Sequence, residues 1–213
     1  MKVLLTGSSG QLGKEIIKTK PKGINLITAN RSALDLSDLD SCHKYVQRIK
    51  PDWLINCGAY TNVDKAEIDK DLAYLINSLS VKYLAESIKK INSKFIQIST
   101  DYVFDGTKKK PYLPEDLKSP INVYGETKSA AEDFIQDIFK DSQNGIIIRT
   151  SWLMGSTGGN FALKMLNLLT NNEKVNVIND QIGSPTTTFT LAKACWETII
   201  VNSKGLSTPS ILH

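Results

Sequence analysis

Val3-Leu4-Leu5-Thr6-Gly7-Ser8-Ser9-Gly10-Gln11-Leu12-Gly13 opens the chain after two residues. A short apolar run of strand length passes directly into glycines spaced Gly-x-x-Gly-x-x-Gly, and Lys14-Glu15-Ile16-Ile17-Lys18 behind them reads as a helix. Gly7 permits the tight strand-to-helix turn, Gly10 lets backbone come close to a phosphate, and Gly13 lets helix and strand pack closely. The free N–H groups and partial positive charge at the start of such a helix suit a pyrophosphate. Strand before and helix after is the context this glycine pattern needs to mark a dinucleotide site.

Outward from that stretch, strands and helices alternate. Apolar runs at residues 25–29, 53–57, 95–98 and 145–149 read as strands. Helical spacing covers residues 38–49, a long segment at 72–92, and 129–139, while Pro111, Pro114 and Pro120 mark 107–122 as loop. This alternation predicts an α/β fold, a Rossmann-like doubly wound parallel sheet. After Trp152 the pattern changes to a glycine-rich turn (Gly155, Gly158, Gly159), a helix near 161–169, a strand near 175–178, a loop at 180–185 and a helix near 191–201. Residues 1–151 are therefore read as the dinucleotide-binding part, and 152–213 as a small, incomplete second lobe interleaved with it. Ile211-Leu212 reads as a strand that was meant to continue.

Composition narrows the class. With 41% hydrophobic and 23% charged residues, the chain has the make-up of a globular protein able to bury a good core. A net charge of +4, scattered among acids, does not argue for nucleic acid, and Lys108-Lys109-Lys110 reads as a solvated loop. Cys42, Cys57 and Cys195 are far apart and lack metal-ligand spacing, so reduced buried thiols are expected and no metal site. No apolar run approaches the ~20 residues of a membrane span. The first strand starts at once, leaving no room for a signal peptide, and a cytoplasmic location is expected.

The end of the second strand bears on the nucleotide. An acid there would favour a free ribose 2′-hydroxyl, whereas Asn30-Arg31 places a guanidinium suited to a 2′-phosphate. NADPH is therefore expected, with NADH the alternative. Asp35-Leu36 just beyond can flank the adenine, and Asp35 can equally cap a helix.

The chemistry lies in Ser99-Thr100-Asp101-Tyr102 and in Tyr124-Gly125-Glu126-Thr127-Lys128. Thr100 ends a buried strand, and Tyr124 and Lys128 stand four residues apart on one helix face. A Lys cation beside a phenol favours the phenolate, which makes proton exchange with a carbonyl oxygen feasible near neutrality. Lys128 also has the reach to hold a nicotinamide ribose, and the Thr100 hydroxyl can polarise the carbonyl. The hydride would come from the cofactor.

These strings resemble the extended short-chain dehydrogenase/reductase family and, more narrowly, the dTDP-4-dehydrorhamnose reductase family. The resemblance is carried by residues 6–13, 56–67, 99–106, 119–128, 149–152 and 180–186, the STDYVFDG and DQxGxPT strings being the most specific. It implies pyrophosphate contacts from Gly10, Gln11 and Leu12, and a cofactor lining of Ala59, Tyr60 and Thr61. Catalytic roles fall to Thr100, Tyr124 and Lys128. Val63, Asp101, Tyr102 and Trp152 would border a dTDP-4-keto-6-deoxy sugar, although Trp152 can equally be a core residue of the second lobe. The resemblance further implies that family members continue past the position of His213, completing the substrate lobe and in some members contributing to a homodimer contact. A non-catalytic dinucleotide-binding subunit and an inactive truncated copy are the alternatives.

Overall fold

A computed structural model describes residues 1–171 and 174–213. Strand β1 (Lys2–Thr6) lies between β2 (Asn25–Ala29) and β3 (Trp53–Asn56). The sheet continues through β4 (Lys94–Thr100) and β5 (Gly145–Thr150), and every pairing is parallel. Helices α1 (Gln11–Lys18), α2 (Leu39–Ile49), α3 (Val63–Ala66), α4 (Lys70–Tyr74), α5 (Ser80–Lys90) and α6 (Val123–Ile138) lie in the connections. The chain turns back from β2 to place β3 on the other side of β1, so a crevice opens at the carboxyl ends of β1 and β3.

Strand alternation sends successive residues to opposite faces. Leu4, Leu54, Phe95 and Ile147 pack with Val46, Leu84, Ile88 and Ile135 on one face. Val3, Leu5, Ile55, Ile96, Ile146 and Ile148 pack with Leu12 and Ile16 on the other. Each fully buried Leu or Ile contributes about 1.5–3 kcal/mol, so the doubly wound arrangement follows from strands that are apolar on both sides.

The region after Trp152 is interleaved with this sheet. Two short strands, β6 (Leu153–Met154) and β7 (Thr186–Thr187), pair with each other in parallel, with α7 (Phe161–Asn171) between them. Helix α8 (Thr188–Ser203) then returns to the sheet: Trp196 is 3% exposed and its indole N–H donates to the Ile16 carbonyl at 3.2 Å. Finally β8 (Ile211–Leu212) adds to the sheet, Ile211 opposite Ile147 and Leu212 opposite Ile148. No helix among the described residues is long and apolar enough to cross a membrane.

Two expectations fail. Residues 175–178 form no strand and pair with no ladder partner among the described residues; Val177 and Ile178 are exposed. Their β-favouring side chains express a preference for a pleated, half-buried surface, and no such surface is supplied. The long helix expected at 72–92 is interrupted by a π-helical turn, Leu75–Leu79, whose extra residue turns Asn77 and Ser78 into the interior.

Candidate active site

The glycine loop sits at the crevice. Gly7 has φ +63°, and a Cβ there would lie 2.5 Å from the Gly58 nitrogen at the end of β3. Both facts exclude a larger residue. A Cβ on Gly13 would stand 2.4 Å from the Gly7 carbonyl oxygen, so this glycine makes room for the loop itself rather than for the strand. Gly10 is the N-cap of α1 and offers no side chain to the first-turn N–H groups. The sequence-expected pyrophosphate residues divide here. Leu12 buries its side chain in the core, leaving only backbone to a ligand. The Gln11 amide is turned towards the second lobe, donating to the Leu153 carbonyl at 3.3 Å and accepting from Asn160 at 3.4 Å.

At the end of β2, Arg31 is exposed, with its Nε 3.6 Å from an Asp35 carboxylate oxygen. Asp35 does not cap α2. It accepts from the Ser37 backbone and hydroxyl at 2.9 and 2.7 Å, which hold its carboxyl below the usual range, and Asp38 caps the helix through Ser41 N–H. The reason is local, since only Asp38 stands three residues before a free first-turn N–H. Leu36 is buried against Gly58. Ala59 and Tyr60 are half-buried, Thr61 is exposed, and Val63 opens α3 behind the Asn62 cap.

Thr100, Tyr124 and Lys128 meet at the carboxyl end of β4. Thr100 is buried at the strand tip and its hydroxyl donates to Asp101 Oδ1 at 3.0 Å. The Tyr124 hydroxyl faces Thr100, and its ring meets Tyr102 edge to face at 5.6 Å. Lys128 is 3% exposed and its ammonium donates to the Ile98 carbonyl at 2.7 Å. The electrostatics differ from the sequence expectation. Loss of solvent pushes the Tyr124 phenol up to about 12, with Asp101 and Tyr102 adding to the rise and Thr100 opposing it. Burial pulls Lys128 down to about 8, against the Glu132 carboxylate and Cys57. Lys128 is engaged by the strand carbonyl, and desolvation outweighs any help it lends the phenol. The Asp101 carboxyl is likewise raised by burial.

Trp152 has φ +45°, and its ring lies against Gly183 and edge to face with Phe161 at 5.1 Å. It is half-buried, packed among residues of the second lobe and held apart from the sheet core. Ser151 donates to the Ser184 carbonyl at 2.7 Å, bringing residues 180–186 back to the end of β5. Cys42 and Cys195 are buried free thiols and Cys57 is a half-buried one; burial raises all three, Cys42 and Cys195 to about 12. Lys108 pairs with Asp116, so the lysine run is only partly solvated. Among the described residues no cluster of His, Cys, Asp or Glu has the form of a metal site.

Two residues at this edge went unread in the sequence. Asn77, 1% exposed in the π-helical turn, accepts from Tyr60 N–H at 2.8 Å. It also donates to the Tyr60 carbonyl at 3.0 Å and to Thr127 Oγ1 at 3.1 Å, clamping the loop after β3 to the helix that carries Lys128. Glu132 is fully buried and forks with Arg149. The available signal was a polar residue on the apolar stripe of each helix.

A glycine turn at the switch point of a parallel sheet, with Thr, Tyr and Lys at the adjoining strand end, defines a Rossmann-like fold of the short-chain dehydrogenase kind. The chain belongs to the dTDP-4-dehydrorhamnose reductase family: all of residues 1–213 match the family model described as the RmlD substrate binding domain. It is 40% identical to the dTDP-4-dehydrorhamnose reductase of Escherichia coli over 87% of this chain and 62% of that one. The structure of a dTDP-4-dehydrorhamnose reductase from Clostridium acetobutylicum superposes with a TM-score of 0.90 at 39% identity, covering 98% of this chain and 72% of that one. That of the Bacillus anthracis dTDP-4-dehydrorhamnose reductase, in complex with NADP, gives 0.87 at 36% identity, covering 93% and 70%. The chain spans between 61% and 72% of the length of eight curated relatives that it matches.

Proposed function

We propose that this chain is an NADPH-dependent reductase of dTDP-4-dehydro-L-rhamnose, a dTDP-4-keto-6-deoxyhexose, yielding dTDP-L-rhamnose. The observation that carries the reading is the meeting of Thr100, Tyr124 and Lys128 at one strand end beside the Gly7–Gly13 turn. The names of the relatives support the substrate, and the NADP in the Bacillus anthracis structure supports the cofactor.

NADPH would supply the hydride to C4. The residues present fit it: Gly7 and Gly10 leave backbone and the α1 N-terminus to the pyrophosphate, and exposed Arg31 stands at the end of β2 for a 2′-phosphate. Thr100 hydrogen-bonds the C4 oxygen and holds it beside the phenol. Tyr124, kept protonated by its environment, gives its proton to the oxygen as negative charge develops there, because an alkoxide is a far stronger base than a phenolate. Lys128 places a cation one helical turn away and lowers the cost of the phenolate left behind. Val63, Asp101, Tyr102 and Trp152 border the sugar. Residues 1–151 form the dinucleotide-binding and catalytic part, and 152–213 the interleaved substrate part.

Oxidation of NADPH that depends on dTDP-4-keto-6-deoxymannose tests the reading. Tyr124→Phe should lower turnover by about 10²–10⁴-fold with nucleotide binding retained; nucleotide binding by the unaltered chain without turnover would refute it. Arg31→Asp should move the NADPH/NADH preference towards NADH by about tenfold, the loss of roughly one charge-assisted contact. An unchanged ratio of the two KM values would refute the 2′-phosphate assignment.

A further inference from the structure

Behind the Thr100–Tyr124–Lys128 edge lies a buried carboxylate that proton delivery itself does not use. Glu132 is fully buried on α6, one turn past Lys128 and two past Tyr124. An ionised carboxylate in such a place costs several kcal/mol unless it is paired and hydrogen-bonded. Arg149 of β5 supplies a fork, Nε to Oε1 at 3.0 Å and Nη2 to Oε2 at 2.8 Å. The Ser99 hydroxyl of β4 donates to Oε1 at 2.5 Å. Arg149 is itself 5% exposed, lies over the Phe104 ring at 5.0 Å and donates to the Pro114 carbonyl at 3.0 Å. Lys118, from the loop before α6, approaches Glu132 Oε2 at 3.7 Å and donates to Asp133 at 2.7 Å and to the Ser129 carbonyl at 2.9 Å.

Stability alone does not account for this cluster, because a buried ion pair can often be replaced by apolar residues at no loss. Its location does. Ser99 immediately precedes Thr100, and Lys128 is the next residue up the same face of α6. One carboxylate therefore joins the strand that ends in Thr100 to the helix that bears Tyr124 and Lys128.

We propose that Glu132, held by Arg149 and Ser99, is a positioning residue for the proton-transfer pair, fixing α6 against the tip of β4 and keeping a negative charge beside the buried Lys128 ammonium. Its effect on turnover rests on the reading under Proposed function; its effect on Lys128 does not. Among the described residues the charged groups that face Glu132 are Arg149 from β5, Lys118 from the loop and Lys128 from α6, with Asp133 offsetting Lys118 from outside. Cys57 is the other titratable group that bears on Lys128, and His213 bears on Arg149. Burial drives Lys128 to release its proton, and Glu132 is the larger of the two groups opposing that release.

The test is the titration of Lys128 in the full chain labelled with ¹³C-lysine, its Cε resonance assigned by disappearance in Lys128→Met. The unaltered chain should titrate at about 8. Glu132→Gln, nearly isosteric and uncharged, should lower that midpoint by about one pH unit, the size of losing a near opposite charge. Because that variant strands Arg149, the double variant Glu132→Gln/Arg149→Met is measured beside it, and it should show the same direction of change. A midpoint that stays in place while the single variant loses thermal stability and the double regains it would mean a purely structural pair, and would overturn the inference. In the turnover assay Glu132→Gln should lower kcat by roughly 10- to 100-fold through displacement of the pair, leaving the KM for NADPH unchanged. An unaltered chain with no turnover but a midpoint that moves in Glu132→Gln would sink the functional reading and leave the positioning of Lys128 standing.

Discussion

Helices α6 and α7 differ in a way that runs against their compositions. Seven of the eleven residues of α7, Phe161, Ala162, Leu163, Met165, Leu166, Leu168 and Leu169, are apolar, yet none of its residues is buried. Helix α6 is more polar, carries Lys128, Glu126, Glu132 and Asp133, and buries eight residues, among them a Lys and a Glu. Burial is decided by what stands opposite. Helix α6 lies on the sheet between α5 and β5, where Ile135 and Ala131 complete one core face and Arg149 and Ser99 satisfy Glu132. Helix α7 lies in the connection between β6 and β7, and among the described residues none of its side chains belongs to either core face; Phe161 meets Trp152 edge to face. Apolar side chains offer burial energy, but a surface of matching shape must be present to realise it.

The contrast can be broken by measurement. Ile135→Ala, which empties a site 1% exposed, should destabilise the chain by about 2–5 kcal/mol in urea unfolding, through lost transfer energy and the cavity left behind. A smaller effect comes from the charge α6 buries. Lys128 stands at about 8 when folded and 10.5 as the reference. Below pH 8 both states hold the proton and the fold bears the full cost of the buried cation. Between pH 8 and 10.5 the unfolded chain binds more protons than the folded one, so Lys128 contributes a rise in stability with pH. The difference in unfolding free energy between Lys128→Met and the unaltered chain should therefore narrow from pH 7 to pH 9; a pH-independent difference would show that the ammonium is not desolvated. The smallest effect belongs to α7. Leu166→Ala, at a position 64% exposed, should change stability by less than about 0.5 kcal/mol. A loss as large as that at Ile135 would erase the distinction between the two helices.

Much of the site was legible because its signals are short in sequence. Gly7 and Gly13 announce a turn whose backbone admits no side chain at those two positions, with Gly10 as the helix cap between them, and Tyr124 and Lys128 are neighbours by helix geometry alone. Thr100 was readable as the polar end of an apolar strand. Asn77 and Glu132 were not, because their partners lie 17 to 50 residues away along the chain, at Tyr60 and Thr127 for one and at Ser99 and Arg149 for the other. A buried polar residue becomes recognisable only when its partners are in place. The strand expected at 175–178 failed for the converse reason: local preference was present and the partner was not.

The proton affinities show the division most plainly. Residue order alone determined that a phenol, an ammonium and a hydroxyl would stand at one end of a parallel sheet, since alternating strands and helices and a four-residue helical step leave little choice. The same order suggested a phenol lowered by its lysine. Only the tertiary structure decided that burial raises Tyr124 to about 12 and lowers Lys128 to about 8. Spacing reports which groups are near one another, whereas the cost of a charge depends on the water removed from around it by every element packed there.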